Sequence, residues 1–196
     1  RGEKKEDLSL DSQTTEFELC NLKIIEVREG GVGDRVCIDL TSMLEIGEGM
    51  LIGSSASSMA LVHGETIESE FVPTRPFRVN AGAAHSYILM ADGTTKYLSE
   101  LKMGDEVMVI GTNETSYSAL VGRVKIEKRP FILFRWEDEN HNEAGALLQQ
   151  AETVRLVSES GLISITELKP NMSIMGWSGG TGRHVGMNIS AKVKEK

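Results

Sequence analysis

The sequence predicts a mostly β, single-domain fold, barrel- or sandwich-like, with few and short helices. Three observations support this prediction. Short β-type runs follow one another closely and are separated by Gly, Asn and Asp turn residues. No segment sustains the 3.6-residue apolar period of an amphipathic helix. A corner-like motif also recurs along the chain, as expected where turns re-aim successive strands.

The recurring motif is of the Leu-x-x-Gly-Asp type and precedes an apolar run. Its copies begin at Leu44, Leu101 and Leu168, and the third copy has Asn171 at the glycine position. Each copy predicts a short helical turn, a glycine or asparagine stop and then a strand. The copies are too far apart and too unevenly spaced for a stacked solenoid. We therefore interpret the repeat as architectural and assign it no chemistry.

Glycine and proline predict turns inside two longer β-type segments. In residues 22–40 the glycines of residues 30–33 separate two predicted strands. This cluster does not match a dinucleotide-binding loop, because a strand rather than a helix follows it. In residues 120–136, Pro130 separates two more predicted strands, since proline cannot donate to a sheet ladder.

Composition and charge limit which domain organisations and which classes of partner are compatible with the sequence. Residues 1–18 are polar and predict a flexible tail, whereas residues 19–196 predict one β-rich domain. A net charge of −8 and an aromatic content of 5% argue against nucleic-acid binding. A local basic patch lies in residues 123–129. No apolar run approaches the ~20 residues that span a bilayer, so direct membrane insertion is not expected.

The two cysteines, Cys20 and Cys37, match no metal-ligand spacing and are too few for a disulfide framework. We therefore expect no metal site, and a reducing compartment rather than secretion. The chain begins at Arg1 instead of methionine, which indicates a processed, truncated or partly represented protein.

Polar side chains gather between residues 62 and 87, around a small-residue elbow formed by residues 80–84. Guanidinium groups match carboxylates and phosphates in bidentate geometry, and imidazole and carboxylate groups transfer protons. If the segments are neighbouring strands, these groups converge on one surface. The alternative is that the arginines pair with acids on a solvated face and the histidines are structural. The candidate residues are His63, Glu65, Arg75, Arg78, Asn80 and His85.

Six motifs in one order resemble a known family, the archaeal-type or class II 3-dehydroquinate synthases. The resemblance starts near Leu19 and covers only the C-terminal part of that enzyme. Two positions depart from the family pattern, Gly64 in place of serine and Gln150 in place of asparagine. The motifs are residues 62–66, 75–87, 97–102, 121–130, 151–157 and 182–187.

The resemblance implies a β domain from an enzyme that oxidatively deaminates an amino-dideoxy-heptulosonate with NAD and closes the ring to 3-dehydroquinate. By this resemblance, the complete enzyme serves aromatic amino-acid biosynthesis. No cofactor is expected in this chain itself, and NAD is expected only in the complete enzyme. For this chain the resemblance implies acid–base roles for His63, Glu65 and His85. It implies binding of a small sugar acid by Arg75, Arg78, Asn80 and Arg183.

Two functional hypotheses remain open at this stage. The first is a stand-alone, non-catalytic accessory subunit of a larger protein assembly, located on the stromal side of a plastid, for example with a photosynthetic complex. The second is the C-terminal portion of an active NAD-dependent synthase, located in a plastid or the cytoplasm. The mass of the native polypeptide separates them: about 21.5 kDa favours the first hypothesis.

Overall fold

The computed structural model of the protein describes residues 15–16 and 18–179. In this part the chain is mostly β, which confirms the predicted fold class. The helical segments described are two three-residue 3-10 turns, Leu98–Glu100 and Ile165–Glu167. Across the same residues, no helix has the length and apolar character needed to cross a membrane.

The strands are named in chain order. Those of the first half are β1 (Thr15–Glu16), β2 (Cys20–Leu40), β3 (Glu48–Ser55), β4 (Ser58–His63), β5 (Arg78–Ala83), β6 (Tyr87–Leu89) and β7 (Thr95–Tyr97). Those of the second half are β8 (Glu106–Gly111), β9 (Thr115–Glu137), β10 (Glu143–Gln149), β11 (Arg155–Ser158), β12 (Gly161–Ser164) and β13 (Ser173–Ser178).

All these strands belong to one antiparallel sheet whose pairings close on themselves. The circuit runs β4, β13, β2, β9, β8 and β3, and β3 pairs again with β4. The other strands attach to this circuit, with β5 along β2 and both β1 and β10 along β9. A closed circuit pairs its strands on both sides, which protects their edges.

The two predicted turns inside the longer segments were wrong, because β2 and β9 are each continuous strands of 21 and 23 residues. They pair with each other along most of their length. The register shifts between Glu29 and Val32, and Val32 then lies opposite Pro130. A bulge leaves a residue out of the ladder, so the glycines and the proline that lacks an N–H are accommodated without ending either strand.

The corner motif ends as predicted in all three copies. Its stop residues have left-handed backbone, with φ of 94° at Gly47, 95° at Gly104 and 73° at Asn171. The strands β3, β8 and β13 follow directly. The 3-10 turns lie just ahead of the second and third copies, while the first copy has none. The motif thus redirects the chain into a strand of the closed circuit.

The core lies on one side of β2, and the candidate site lies on the other. Val36, Ile38 and Leu40 are buried in the main apolar cluster. The alternating residues Arg35, Cys37 and Asp39 point to the opposite face and are also buried. This second face of β2, flanked by β5 and β9, is where the polar side chains of the sequence gather.

Candidate functional site

Four charged residues form a row across the second face of the sheet. The Glu65 backbone N–H donates to the Arg78 carbonyl oxygen at 2.8 Å. Arg78 lies opposite Asp39 on β2, and Asp39 lies opposite Arg123 on β9. The charges therefore alternate in sign along the row, and opposite charges on facing strands stabilise a sheet.

Asp39 is the centre of this row. Arg78 donates to it through two bonds, Nε to Oδ1 at 2.7 Å and Nη2 to Oδ2 at 3.0 Å, and Arg123 Nε donates to Oδ2 at 2.7 Å. The side chains of Arg78 and Asp39 are only 11% and 4% exposed. Burial by itself would raise the pKa of Asp39, but the two guanidinium groups outweigh it and hold that pKa below its usual value. Asp39 thus stays ionised and fixes both arginines.

Glu65 lies at the end of the row beside a second, more exposed arginine. Its Oε2 is 3.6 Å from Nη1 of Arg75, and an antiparallel bridge joins the two backbones. Burial raises the pKa of Glu65, and the charges of Arg78 and Arg75 offset this only in part. Glu65 therefore takes up a proton more readily than a solvated glutamate, which suits a group that transfers protons.

A second set of polar contacts lies two to four residues before Asp39 on the same face of β2. Arg35 Nη1 and Asn80 Nδ2 both donate to Oε1 of Gln149, the latter at 2.9 Å. Arg35 Nη2 also contacts Oε2 of Glu127 at 3.3 Å. Burial raises the pKa of the Cys37 thiol in the same region, so this thiol stays protonated at neutral pH.

Strand β10 positions Gln149 over β5, and Gly82 makes this approach feasible. A Cβ at Gly82 would lie 2.3 Å from the Leu147 carbonyl oxygen, and the residue has a φ of 98°. At the end of β10 the Gln150 N–H donates to the Pro130 carbonyl oxygen at 2.9 Å. The backbone of β10 is therefore held against both β5 and β9.

We call this surface the cationic face, defined by nine charged residues. Cations outnumber carboxylates on it, although the whole chain has a net charge of −8. Such a local excess of guanidinium groups favours an anionic ligand. Its cations are Arg35, Arg75, Arg78, Arg123, Lys125 and Arg129, and its carboxylates are Asp39, Glu65 and Glu127.

His63 is not directed at the cationic face. It is buried at the end of β4, where its Nε2 accepts a hydrogen bond from the Gly47 N–H at 2.8 Å. Burial lowers the pKa of His63, an interaction with the Gly64 backbone opposes this, and nearby Arg155 lowers it further. The ring is therefore neutral and holds the first corner motif in place.

His85 lies at the other end of β3. Its Nε2 is 2.9 Å from Oγ of Ser54, whereas His63 pairs with Gly49 on the same strand. The two contacts are five positions apart on β3, which is roughly 16 Å. Ser54 also lines a groove of about 650 Å³ beside β10.

The structure thus brings together Glu65, Arg75, Arg78 and Asn80 of the predicted set, but neither histidine. Arg183 lies outside the described residues. The functional roles assigned to all seven residues stay predictions.

The sequence reasoning missed Arg35, Asp39 and Gln149. A period-two pattern could have found the first two, because polar Arg35, Cys37 and Asp39 alternate with buried apolar residues of β2. No local signal indicates Gln149, which lies 114 residues from Arg35 along the chain.

Comparisons with known proteins agree with the earlier resemblance. The family model described as the 3-dehydroquinate synthase II C-terminal domain matches residues 21–196. A 3-dehydroquinate synthase of Methanoregula boonei is 45% identical over 186 residues, covering 94% of this chain and 56% of the relative. One from Methanococcus maripaludis is 49% identical over 174 residues, covering 88% of this chain and 48% of the relative.

A protein of Aquifex aeolicus, named 3-dehydroquinate synthase homolog, is 46% identical over 181 residues, covering 92% of this chain and 54% of the relative. No solved structure matches the chain. The chain spans about half the length of these curated relatives. Because the family model covers residues 21–196, nearly all of the chain, the chain belongs to the 3-dehydroquinate synthase II family and corresponds to the C-terminal domain of that family.

Proposed function

We propose that this chain forms the substrate-binding part of a class II 3-dehydroquinate synthase, and that its cationic face binds the carboxylate of the substrate. The observation that supports this most directly is the excess of guanidinium groups around buried Asp39. Relatives named as this synthase, at 45–49% identity, support the same reaction class.

Two arginines of the cationic face have room for a ligand. The side chain of Arg123 is 60% exposed, and its hydrogen bond to Asp39 uses only Nε. Arg75 is about one third exposed, and its contact with Glu65 is long. Because Arg123 bonds Asp39 through Nε, its two terminal nitrogens can offer a carboxylate a bidentate donor pair.

Glu65 is the residue best suited to proton transfer on this surface. Its raised pKa, caused by burial, places it closer to neutrality than an ordinary glutamate. Arg78 and Arg75 flank it, so a carboxylate bound by Arg75 would lie next to the proton-transferring group. The buried, neutral His63 supports the corner of β3 and is not proposed to contact the substrate.

NAD supplies hydride acceptance when it is bound, and we propose that the half of the synthase outside this chain holds it. The glycines of residues 30–33 lie within β2, and Gly82 lies within β5. Neither is followed by a helix whose N-terminus could hold a pyrophosphate. Phosphate binding by these two glycine clusters is therefore not favoured.

The alternative is a non-catalytic accessory subunit in a plastid assembly. The named relatives described above come from archaea and a bacterium and carry the synthase name or that of its homolog, which favours the synthase. A native polypeptide of 21.5 kDa that co-purifies with plastid proteins would favour the accessory subunit instead.

The proposal is tested by titrating 3-dehydroquinate into the purified chain by calorimetry. We expect saturable binding, and we expect Arg123→Gln to weaken it roughly tenfold because one charge-assisted hydrogen-bond pair is lost. Arg28→Gln is a matched control, since Arg28 is also 60% exposed and pairs with one glutamate. Equal loss in both variants, or no binding by the unaltered chain, would contradict the proposal.

A further inference from the structure

Two buried polar atoms beneath the cationic face have no hydrogen-bond partner among the described residues. They are Nε of Arg35 and Oδ1 of Asn80. The two residues are only 7% and 4% exposed. Buried donors and acceptors are nearly always paired in folded proteins, so each such atom calls for a partner.

The orientation of Asn80 follows from its neighbours. An arginine side chain is a donor only, so Gln149 must present its oxygen to Arg35. Asn80 then must present its NH2 group to that same oxygen. Its own Oδ1 is consequently left facing away from Gln149. The unpaired acceptor is thus fixed by the contacts around it.

The two unpaired atoms belong to groups that share one partner, Gln149 Oε1. In each residue the unpaired atom is two covalent bonds from the nitrogen that contacts Gln149 Oε1. One of these atoms donates a hydrogen bond and the other accepts one. A hydroxyl group does both, whereas a carboxylate only accepts and an ammonium group only donates.

We propose that Arg35 and Asn80 bind a hydroxyl group of the substrate and select polyhydroxylated acids over plain ones. This inference rests on the proposed function, because the carboxylate of the same ligand is assigned to the arginines of the cationic face. Gln149 covers the pair and is itself half-buried at the end of β10.

Three ligands separate the two parts of the proposal by calorimetry on the unaltered chain. Quinate has hydroxyl groups and a carboxylate, cyclohexanecarboxylate has only the carboxylate, and methyl quinate has only the hydroxyl groups. We expect quinate to bind at least about tenfold more tightly than cyclohexanecarboxylate, the range that hydrogen bonds to buried groups provide.

Substitution then assigns the difference to residues. Asn80→Leu removes the acceptor and should abolish the preference for quinate while keeping the affinity for cyclohexanecarboxylate. Gln149→Ala removes the oxygen that orients Asn80 and should weaken the preference for quinate without abolishing it. Asn21→Leu is the control, because Asn21 is an exposed asparagine on the same protein that contacts Glu159. It should leave all affinities unchanged.

Each outcome has a distinct meaning. Equal affinity for quinate and cyclohexanecarboxylate would overturn the hydroxyl site and indicate that a buried water alone fills it. Equal affinity for quinate and methyl quinate would contradict the carboxylate part of the proposed function and leave the hydroxyl site standing. Absence of binding by all three ligands would overturn both. These comparisons on the unaltered chain stand even if Asn80→Leu does not fold.

Discussion

At the scale of single residues, the cationic face depends on Asp39. One buried carboxylate accepts hydrogen bonds from two guanidinium groups on two different strands. A buried charge is tolerated when it is paired and hydrogen-bonded, and removal of one partner leaves the other uncompensated. Asp39 therefore matters more to the site than any of the cations around it.

We predict that Asp39→Asn lowers the free energy of unfolding at pH 7 by about 3–5 kcal/mol, since it leaves buried Arg78 without its counter-charge. The low folded-state pKa of Asp39 means that folding favours its charged form. This stabilisation is complete above the unfolded pKa of about 3.9 and is lost as pH falls through the lower folded value. Urea denaturation between pH 2 and 7 should show this loss of stability at low pH in the unaltered protein and a smaller loss in the variant.

Asp34→Asn is the control for this substitution. Asp34 pairs with Lys128, and the two side chains are 50% and 72% exposed. Such exposed pairs contribute little, so we expect a change within about 0.5 kcal/mol. Losses of equal size in the two variants would show that Asp39 has no special role.

At the scale of secondary-structure elements, the site depends on the approach of β10 to β5. Gln149 reaches Arg35 and Asn80 only because the β10 backbone passes close over Gly82. The left-handed φ at Gly82 and the absence of a side chain both serve this approach. The small-residue elbow noted in the sequence is thus the place where two strands cross.

We predict that Gly82→Ala is more destabilising than Gly104→Ala. The two glycines have nearly the same φ, 98° and 95°, so the backbone strain is matched at about 1–2 kcal/mol. Only at Gly82 does the added Cβ meet a backbone oxygen, whereas nothing lies within 4 Å at Gly104. We expect an additional loss of about 1–3 kcal/mol at Gly82 by thermal or urea unfolding. Equal losses would mean that β10 can move away without cost.

At the scale of the whole molecule, the closed circuit of strands carries the cationic face. The chain spans about half of the length of its relatives. The long pair of β2 and β9 packs one of its sides against the core and carries the cationic face on the other side. The face lies over an apolar core with the main cluster buried beneath it, so it is rigid and suited to positioning a ligand.

We predict that the 196-residue chain alone does not reduce NAD with the amino-sugar substrate and binds NAD weakly or not at all. Its described glycine clusters lie within strands and offer no helix N-terminus to a pyrophosphate. Calorimetric titration with NAD, followed by absorbance at the reduced-nicotinamide band after substrate addition, measures both properties. Tight, saturable NAD binding with turnover would contradict the division of roles between the two halves.

Sequence alone was sufficient for the features that depend on local pattern. Closely spaced β-type runs, turn residues and the lack of a helical period predicted the β class, and the glycine and asparagine stops of the corner motif were located correctly. The order of the motifs was also sufficient for the family. Glu65, Arg75, Arg78 and Asn80 were identified as neighbours because they belong to two adjacent segments of the chain.

Tertiary structure decided what depends on distant partners. The continuity of β2 and β9 follows from their mutual pairing, which absorbs glycines and a proline that predict turns when each segment is considered by itself. Asp39 lies 39 residues from Arg78 and 84 from Arg123, and Gln149 lies 69 from Asn80. Pairing between strands can join residues at any separation along the chain, so the sequence around one residue does not indicate its partner. Such contacts form only when strands of the closed sheet are brought into register.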